Sequence, residues 1–477
     1  MKKILTGTAL VISAVFILTR CEKDEFSFNP EDSVYLPDTT FLNVLINEGI
    51  DANGDSLISF EEAAAVTVLR IDRQEITFLA GIEMFVNLDT LSCQNNKLID
   101  LDVSKNKSLK LLYCGNNELT SLDVSKNTHL GSLSCRNNPL MEIDVSNNTA
   151  LEYLGCAGCE LTALDVSKNT SLKRLSCAQN NLTELDINHN TVLTSLTCDR
   201  NQLSSLDVTQ NSLLDFLYCS ENRLTDLNLT SNTKLTSLYC WDNLLTDLDV
   251  STNTMLRQIL CSRNQLTSMD VSNNNPALLD LDCSFNMLTS IDISNNSALN
   301  CFYCSKNPLS VLDLSGNTAL TYLICREIPL TSLDVSANTA LLYFDCTGNL
   351  LTSLDVSNNT GLETLGCSSN LLTSLDVSNN PGLVSLHCDE NQLTSLDLSV
   401  NTALVVLNCS GNLLTRLDLS NNTSLGDPSV YTFYHLRLTD MPSLGEVCVW
   451  TMPFPPSGLI LYTDGSPNIY FTTDCSD

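Results

Sequence analysis

Apolar and polar positions follow one rule along most of the chain. Between residues 88 and 424 a 21-residue unit is written sixteen times, and residues 320–340, LTYLICREIPLTSLDVSANTA, are a specimen. Its first half reads L-x-x-L-x-C-x-x-N and its second L-T-x-L-D-V-S-x-N, so the two halves share one grammar. Alternate residues of a strand face opposite ways, which aims Leu323 and Cys325 inward and Tyr322 and Ile324 outward. Leu330, Leu333 and Val335 repeat the inward places of the second half. The cysteine recurs at strict 21-residue steps from Cys93 to Cys261 and again from Cys283 to Cys409, with one extra residue near Asn275 and Pro276. A fixed period of this size predicts a solenoid in which each copy is one coil. Halves of ten or eleven residues leave little room for a helix on the return side. The expectation is therefore a flattened, mildly curved stack of coils, about 75 Å long at ~4.8 Å per strand.

Two asparagine columns follow from the same unit. One stands three places after the cysteine in fourteen of sixteen copies, as at Asn180, Asn201 and Asn391, and the other closes the second half, as at Asn338. A turn leaving a strand exposes backbone N–H and C=O groups, and a buried amide satisfies both kinds. Cys159 and Ile328 replace the first asparagine, which predicts an irregularity near Ile328.

With cysteine in a leucine place, the unit resembles the cysteine-ladder leucine-rich repeats of internalin-type surface proteins and the arrays of many Gram-negative surface lipoproteins. The resemblance spans residues 76–424. It implies a leucine-rich-repeat solenoid, a right-handed β-superhelix with parallel strands and few or no convex helices. For function it implies attachment or recognition at a cell surface.

The flanks differ. Residues 1–21 read as a lipoprotein signal, with Lys2 and Lys3, an apolar run from Leu10 to Leu18, and a lipobox-like Leu18-Thr19-Arg20-Cys21 that marks Cys21 for lipidation. The run is too short to span a bilayer. Arg20 departs from the small residue expected before the cysteine, and Glu22 to Glu25 resemble the acidic tag of surface-displayed lipoproteins. Residues 22–37 form a tether. Residues 38–75 read as an EF-hand-like helix–loop–helix cap: Asp51, Asn53, Asp55, Ser59 and Glu62 place oxygens at the first, third, fifth, ninth and twelfth positions of a loop, with the Leu57 carbonyl at the seventh. That order suits Ca²⁺, although Ser56 stands where glycine normally makes the turn. Ile71, Ile76, Phe78, Leu79, Ile82 and Phe85 suggest a degenerate first coil. Residues 425–477 read as a C-terminal β cap, with an outward Cys448 bonded to Cys475 and a hairpin around Asp464 and Gly465.

Charge narrows the partners. The 477 residues hold 55 acidic and 24 basic side chains, a net charge of −31, which argues against phosphate backbones and anionic lipid surfaces. Membrane contact would come only through the N-terminal anchor. Much of the charge sits in an Asp column, Asp102 to Asp418, best explained by Asx-turns onto the second residue on. The sixteen ladder cysteines, among 21 in all, would stack about 4.8 Å apart as reduced core thiols. The four histidines are scattered and no catalytic motif stands out, so the expectation is a non-enzyme.

The fold does not dictate the outward strand places. There Phe216, Tyr218, Tyr239, Leu260, Tyr303, Tyr322, Ile324 and Tyr343 form an apolar stripe, with Trp241 and Phe285 at its edge. Exposed aromatic clusters anchor interfaces, so these residues are candidates for recognising a protein or glycan ligand. The alternative is a surface spacer without a specific ligand.

Overall fold

The computed structural model describes residues 33–274, 277–427 and 435–475. It is a parallel β-solenoid of about nineteen coils. Each coil contributes one short strand, usually of three residues, to a single nineteen-stranded sheet. Neighbouring strands pair in register, so Tyr322, Leu323 and Ile324 lie beside Tyr343, Phe344 and Asp345. Leu323 and Cys325 are buried, whereas Tyr322 is 41% exposed. The return side runs extended through turns and carries almost no ladder until the C-terminal end, which is what ten residues without a helix allow.

The core is one continuous column of leucine, valine and cysteine. All sixteen ladder thiols are fully buried and reduced. Burial pushes them up, for Cys114 and Cys177 to about 12. Both asparagine columns are buried as well. In the first, Asn370 Nδ2 donates to the carbonyls of Cys346 and Cys367 at 3.1 Å, and its Oδ1 accepts the Leu351 N–H at 3.0 Å. At Cys159 the thiol takes over part of this work, donating to the Cys135 carbonyl at 3.3 Å. At Ile328 there is no side-chain donor. There the Leu330 N–H turns to the Ile328 carbonyl at 2.8 Å and its bond to Asn349 stretches to 3.4 Å. This is the local irregularity expected at that coil.

Helix α1 (Thr39–Asn47) and helix α2 (Phe60–Ala65) cover the open first coil. Asp38 caps α1 through the Thr40 and Phe41 N–H groups and also accepts from Thr77 and Phe78 on the first coil. Burial alone would raise its carboxyl, but these bonds bring it down to about 2. The stack begins earlier than the periodicity suggests, at the strand Val68–Arg70, which pairs with Thr90–Ser92. Ile71, Ile76, Leu79, Ile82 and Phe85 are buried as expected, but Phe78 is 47% exposed. Gly81, at φ 101°, sits where a Cβ would come within 2.9 Å of the Tyr35 carbonyl, so the chain before α1 crosses over it.

The C-terminal stretch corrects two expectations. No hairpin forms around Asp464 and Gly465. Instead Leu461–Tyr462 joins the long sheet beside Leu436–Arg437, and Tyr470–Thr472 joins a second parallel sheet with Arg416–Asp418 and Glu446–Cys448. A hairpin would leave both edges of the last coil unpaired, whereas this arrangement pairs them. Cys448 is fully buried rather than outward. The segment around it echoes the second half of the unit, since Cys448 stands in register with Asp418, and the disulfide to Cys475 covers it.

Candidate functional site

The outward strand face gathers the candidate residues into two clusters rather than one stripe. In the first, Tyr218 and Tyr239 occupy adjacent strands with ring centroids 5.6 Å apart, edge to face. Phe216 meets Tyr239 at 5.5 Å, and Trp241 meets Tyr218 at 5.1 Å and Tyr239 at 6.1 Å. The second cluster is the stacked pair Tyr322 and Tyr343, at 5.8 Å. Between them Leu260 lies beside Tyr239, and Tyr303 lies beside Ile324. Asp280 and Asp282 break the row. A hydrogen-bonded chain bridges the gap: Tyr239 Oη donates to Gln258 Oε1 at 2.6 Å, and Gln258 Nε2 donates to Asp280 Oδ2 at 2.8 Å. Most of these side chains are half-buried by one another, so the face is ordered before any ligand arrives.

Charge is distributed unevenly along the face. Arg326 pairs with Asp345, a carboxylate only 5% exposed. Burial, and then the neighbouring Cys301, push the Tyr303 hydroxyl up to about 12. The half-buried Cys301 thiol is itself raised by burial and Asp280.

Other groupings were not legible in the spacing. Ser385 Oγ lies 2.9 Å from His387 Nε2, two residues along one strand. Burial lowers His387, opposed by Asp389 and Asp345. Asp199, the residue after ladder cysteine Cys198, is 5% exposed, and its Oδ1 has no hydrogen-bond partner. Burial pushes its carboxyl up. The only sequence signal is an acidic side chain in a row that otherwise holds mostly small residues, such as Ala157, Ala178, Ser220 and Ser262.

The Asp column is explained locally. Asp102 Oδ1 accepts the Ser104 N–H at 2.8 Å, and the bond recurs coil after coil to Asp418 and Ser420. In the 51–62 loop, Asp51 accepts N–H groups from Gly54, Asp55 and Ser56 at 2.7–3.2 Å. Glu62 Oε1 accepts from Ala52 at 2.7 Å, and Oε2 accepts the Ser59 N–H and hydroxyl. Ser56 adopts φ 67°, making the turn that glycine would make. Asn53 Nδ2 donates to Asp55 Oδ2 at 3.1 Å, so oxygen-bearing side chains ring the loop. As it stands, Asp51 and Glu62 are turned onto backbone N–H groups, and Asp51, Asp55 and Glu62 do not gather their oxygens within 4.8 Å of one another. Cys21 lies outside the described residues. Among the described residues no helix is long and apolar enough to cross a membrane.

Neither a family model nor a curated relative matches the chain. Solved structures do. The functional domain of InlJ from Listeria monocytogenes, which includes a cysteine ladder, is 34% identical, with a TM-score of 0.58, over 84% of this chain and 80% of that one. A leucine-rich-repeat protein of Leptospira interrogans is 23% identical over 74% and 92%, with a TM-score of 0.62. YopM from Yersinia enterocolitica is 21% identical over 89% and 94%, also at 0.62. The last two are similar in fold alone, whereas the first is similar in sequence as well and also includes a cysteine ladder. The chain belongs to the leucine-rich-repeat proteins with an internal cysteine ladder, the family of InlJ.

Proposed function

We propose that the chain is a non-catalytic surface protein that binds a protein partner through its outward strand face. The carrying observation is the cluster of Phe216, Tyr218, Tyr239 and Trp241, four rings joined through Tyr239, three of them on outward strand places and Trp241 just beyond its strand. Pre-packed tyrosine and tryptophan offer large contact area at little entropic cost on binding. The lipobox-like stretch at Cys21 would tether the rod to a membrane, with residues 22–37 as spacer. The 51–62 loop would hold Ca²⁺ through Asp51, Asn53, Asp55, the Leu57 carbonyl, Ser59 and Glu62, stiffening the end cap.

The test compares wild type with a chain carrying Tyr218→Ala, Tyr239→Ala, Trp241→Ala and Tyr322→Ala, each applied to target cells, protease-treated cells and periodate-treated cells. Binding that is lost on protease treatment and in the quadruple variant supports the reading. Binding that survives the four substitutions moves the site elsewhere. Binding abolished by periodate alone makes the ligand a glycan, and no saturable binding to any surface makes the rod a spacer.

A further inference from the structure

The first aromatic cluster lies against a buried acid, Asp199, one of whose carboxylate oxygens the fold leaves without a donor. Asp199, Ser220 and Trp241 form one row on three consecutive coils, tied by the Arg200 N–H to the Ser220 carbonyl at 3.0 Å and the Glu221 N–H to the Trp241 carbonyl at 2.9 Å. Asp199 is 5% exposed and Ser220 is fully buried, and neither Asp199 Oδ1 nor Ser220 Oγ has a hydrogen-bond partner. Tyr218 stands close enough to Asp199 for that carboxylate to raise its hydroxyl, second only to burial. The neighbouring cation, Arg200, donates its Nε–H to Glu221 at 2.8 Å.

A buried carboxylate oxygen without a donor is costly, and native structures rarely keep one without a reason. The solenoid supplies none, because Ala178 and Ser262 serve in the same row. A backbone N–H and the charge of Arg200 offset part of the burial, but no donor reaches Asp199 Oδ1, and Arg200 Nε is committed to Glu221. The π faces of Tyr218 and Trp241, 5.1 Å apart and tilted by 44°, attract a positively charged donor. Neither an anion nor an aliphatic side chain would satisfy both features. The net charge of −31 would also steer a basic partner toward the rod.

We infer that this corner receives a basic side chain of the protein partner, an arginine guanidinium or lysine ammonium, with Asp199 as its acceptor and Tyr218 and Trp241 as its walls. The inference rests on the reading that the strand face binds a protein.

The test uses the full chain in a Trp450→Phe background, so that Trp241 is the only indole. Its fluorescence is titrated with acetyl-Gly-Arg-Gly-amide and acetyl-Gly-Lys-Gly-amide, and with the citrulline analogue, which keeps the shape of arginine without its charge. The basic peptides should quench saturably, at least about ten-fold more tightly than citrulline, and Asp199→Asn should remove that preference. Asp199→Ser, borrowing the residue of the neighbouring coils, should do the same, and both variants should resist urea at least as well as wild type. No saturable quenching, or citrulline or Asp199→Asn within about three-fold of the wild-type arginine value, overturns the inference. If Asp199→Asn leaves cell-surface binding intact while the quadruple aromatic variant abolishes it, the protein-binding reading stands without this corner.

Discussion

The two asparagine columns look alike in sequence, yet removing one member of each should have very different costs. Asn370 and Asn380 lie one half-coil apart and both are buried. Asn370→Ala strands the Leu351 N–H, which has no other acceptor, and removes a second donor from the Cys346 and Cys367 carbonyls, which keep Asn349 and Asn391. One orphaned buried donor costs about 1–3 kcal/mol, and the weakened carbonyls and lost volume add ~1 more. Asn380 Nδ2 donates to the Val356 and Asn359 carbonyls at 3.1 and 2.8 Å, but both keep backbone donors, from Asn359 and Leu362. Its Oδ1 is buried without a partner, so Asn380→Ala removes an unsatisfied acceptor and should cost no more than about 1 kcal/mol. Urea unfolding followed by far-ultraviolet circular dichroism, with the denaturant slope checked for constancy, measures both. A gap of about 2 kcal/mol is expected. Equal losses would refute the claim that the first column alone serves an otherwise orphaned N–H.

Three further outcomes follow from the same packing. Thiol labelling of the native chain should reach half-buried Cys301 well before any ladder cysteine, and should reach the ladder only in denaturant; early labelling of Cys198 or Cys240, read by peptide mass mapping, would contradict a closed core. Hydrogen bonds from Ser104, Ser125 and their counterparts hold the Asp102 and Asp123 carboxyls below their ordinary value. Their folded pKa lies below the unfolded one, so their contribution is present above about pH 4 and lost as pH falls through the folded value. The urea midpoint in high salt, which screens the repulsion of 31 net negative charges, should hold from neutral pH and drop in that acid window, and a flat profile would be inconsistent with the Asx bonds. Calorimetric titration should show Ca²⁺ binding that Asp51→Ala with Glu62→Ala abolishes; identical traces would remove the cation from the end cap.

Most of the fold was legible because one coil is dictated sixteen times. Leucine spacing, the thiol column and both asparagine columns are each required by the same stacking, so they agree with one another. The C-terminal coils were harder to place. There the unit loses its leucine spacing, and Cys448 reads as an outward member of the first half when it stands in the Asp column of the second. The site was half legible. Period-two alternation assigns Tyr218 and Tyr239 to the outward face, but it says nothing about Asp199. Asp199 lies beyond the strand, where chain direction rather than alternation decides burial.

Backbone strain adds an argument that sequence spacing cannot supply. Each coil leaves its strand through a residue with positive φ. Near the N-terminus these are Asn95, Asn116 and Asn137, which tolerate that region well. Over the coils that carry the aromatic clusters they are Arg200, Glu221, Asp242, Arg263, Phe285, Lys306 and Glu327, all at φ 51–55°. Asp242 tolerates this region much as asparagine does, but each of the others costs more than glycine or asparagine would, by about 1 kcal/mol. Surface pairs such as Lys306 with Glu327 at 3.2 Å return only part of that, as does Phe285 between Arg263 at 4.6 Å and Lys306 at 5.1 Å. If the solenoid alone selected these residues, asparagine and glycine would dominate there as they do on the other coils, at Asn95, Asn116, Asn137, Gly158, Gly348 and Gly411 against Gln179, Ser369 and Glu390. Arg263→Asn, Phe285→Asn and Lys306→Asn together should therefore leave the unfolding free energy measured in urea within about 0.5 kcal/mol of wild type or above it, while binding to target cells falls. A substantial loss of stability with binding unchanged would mean that these side chains serve the rod itself and not what the rod recognises.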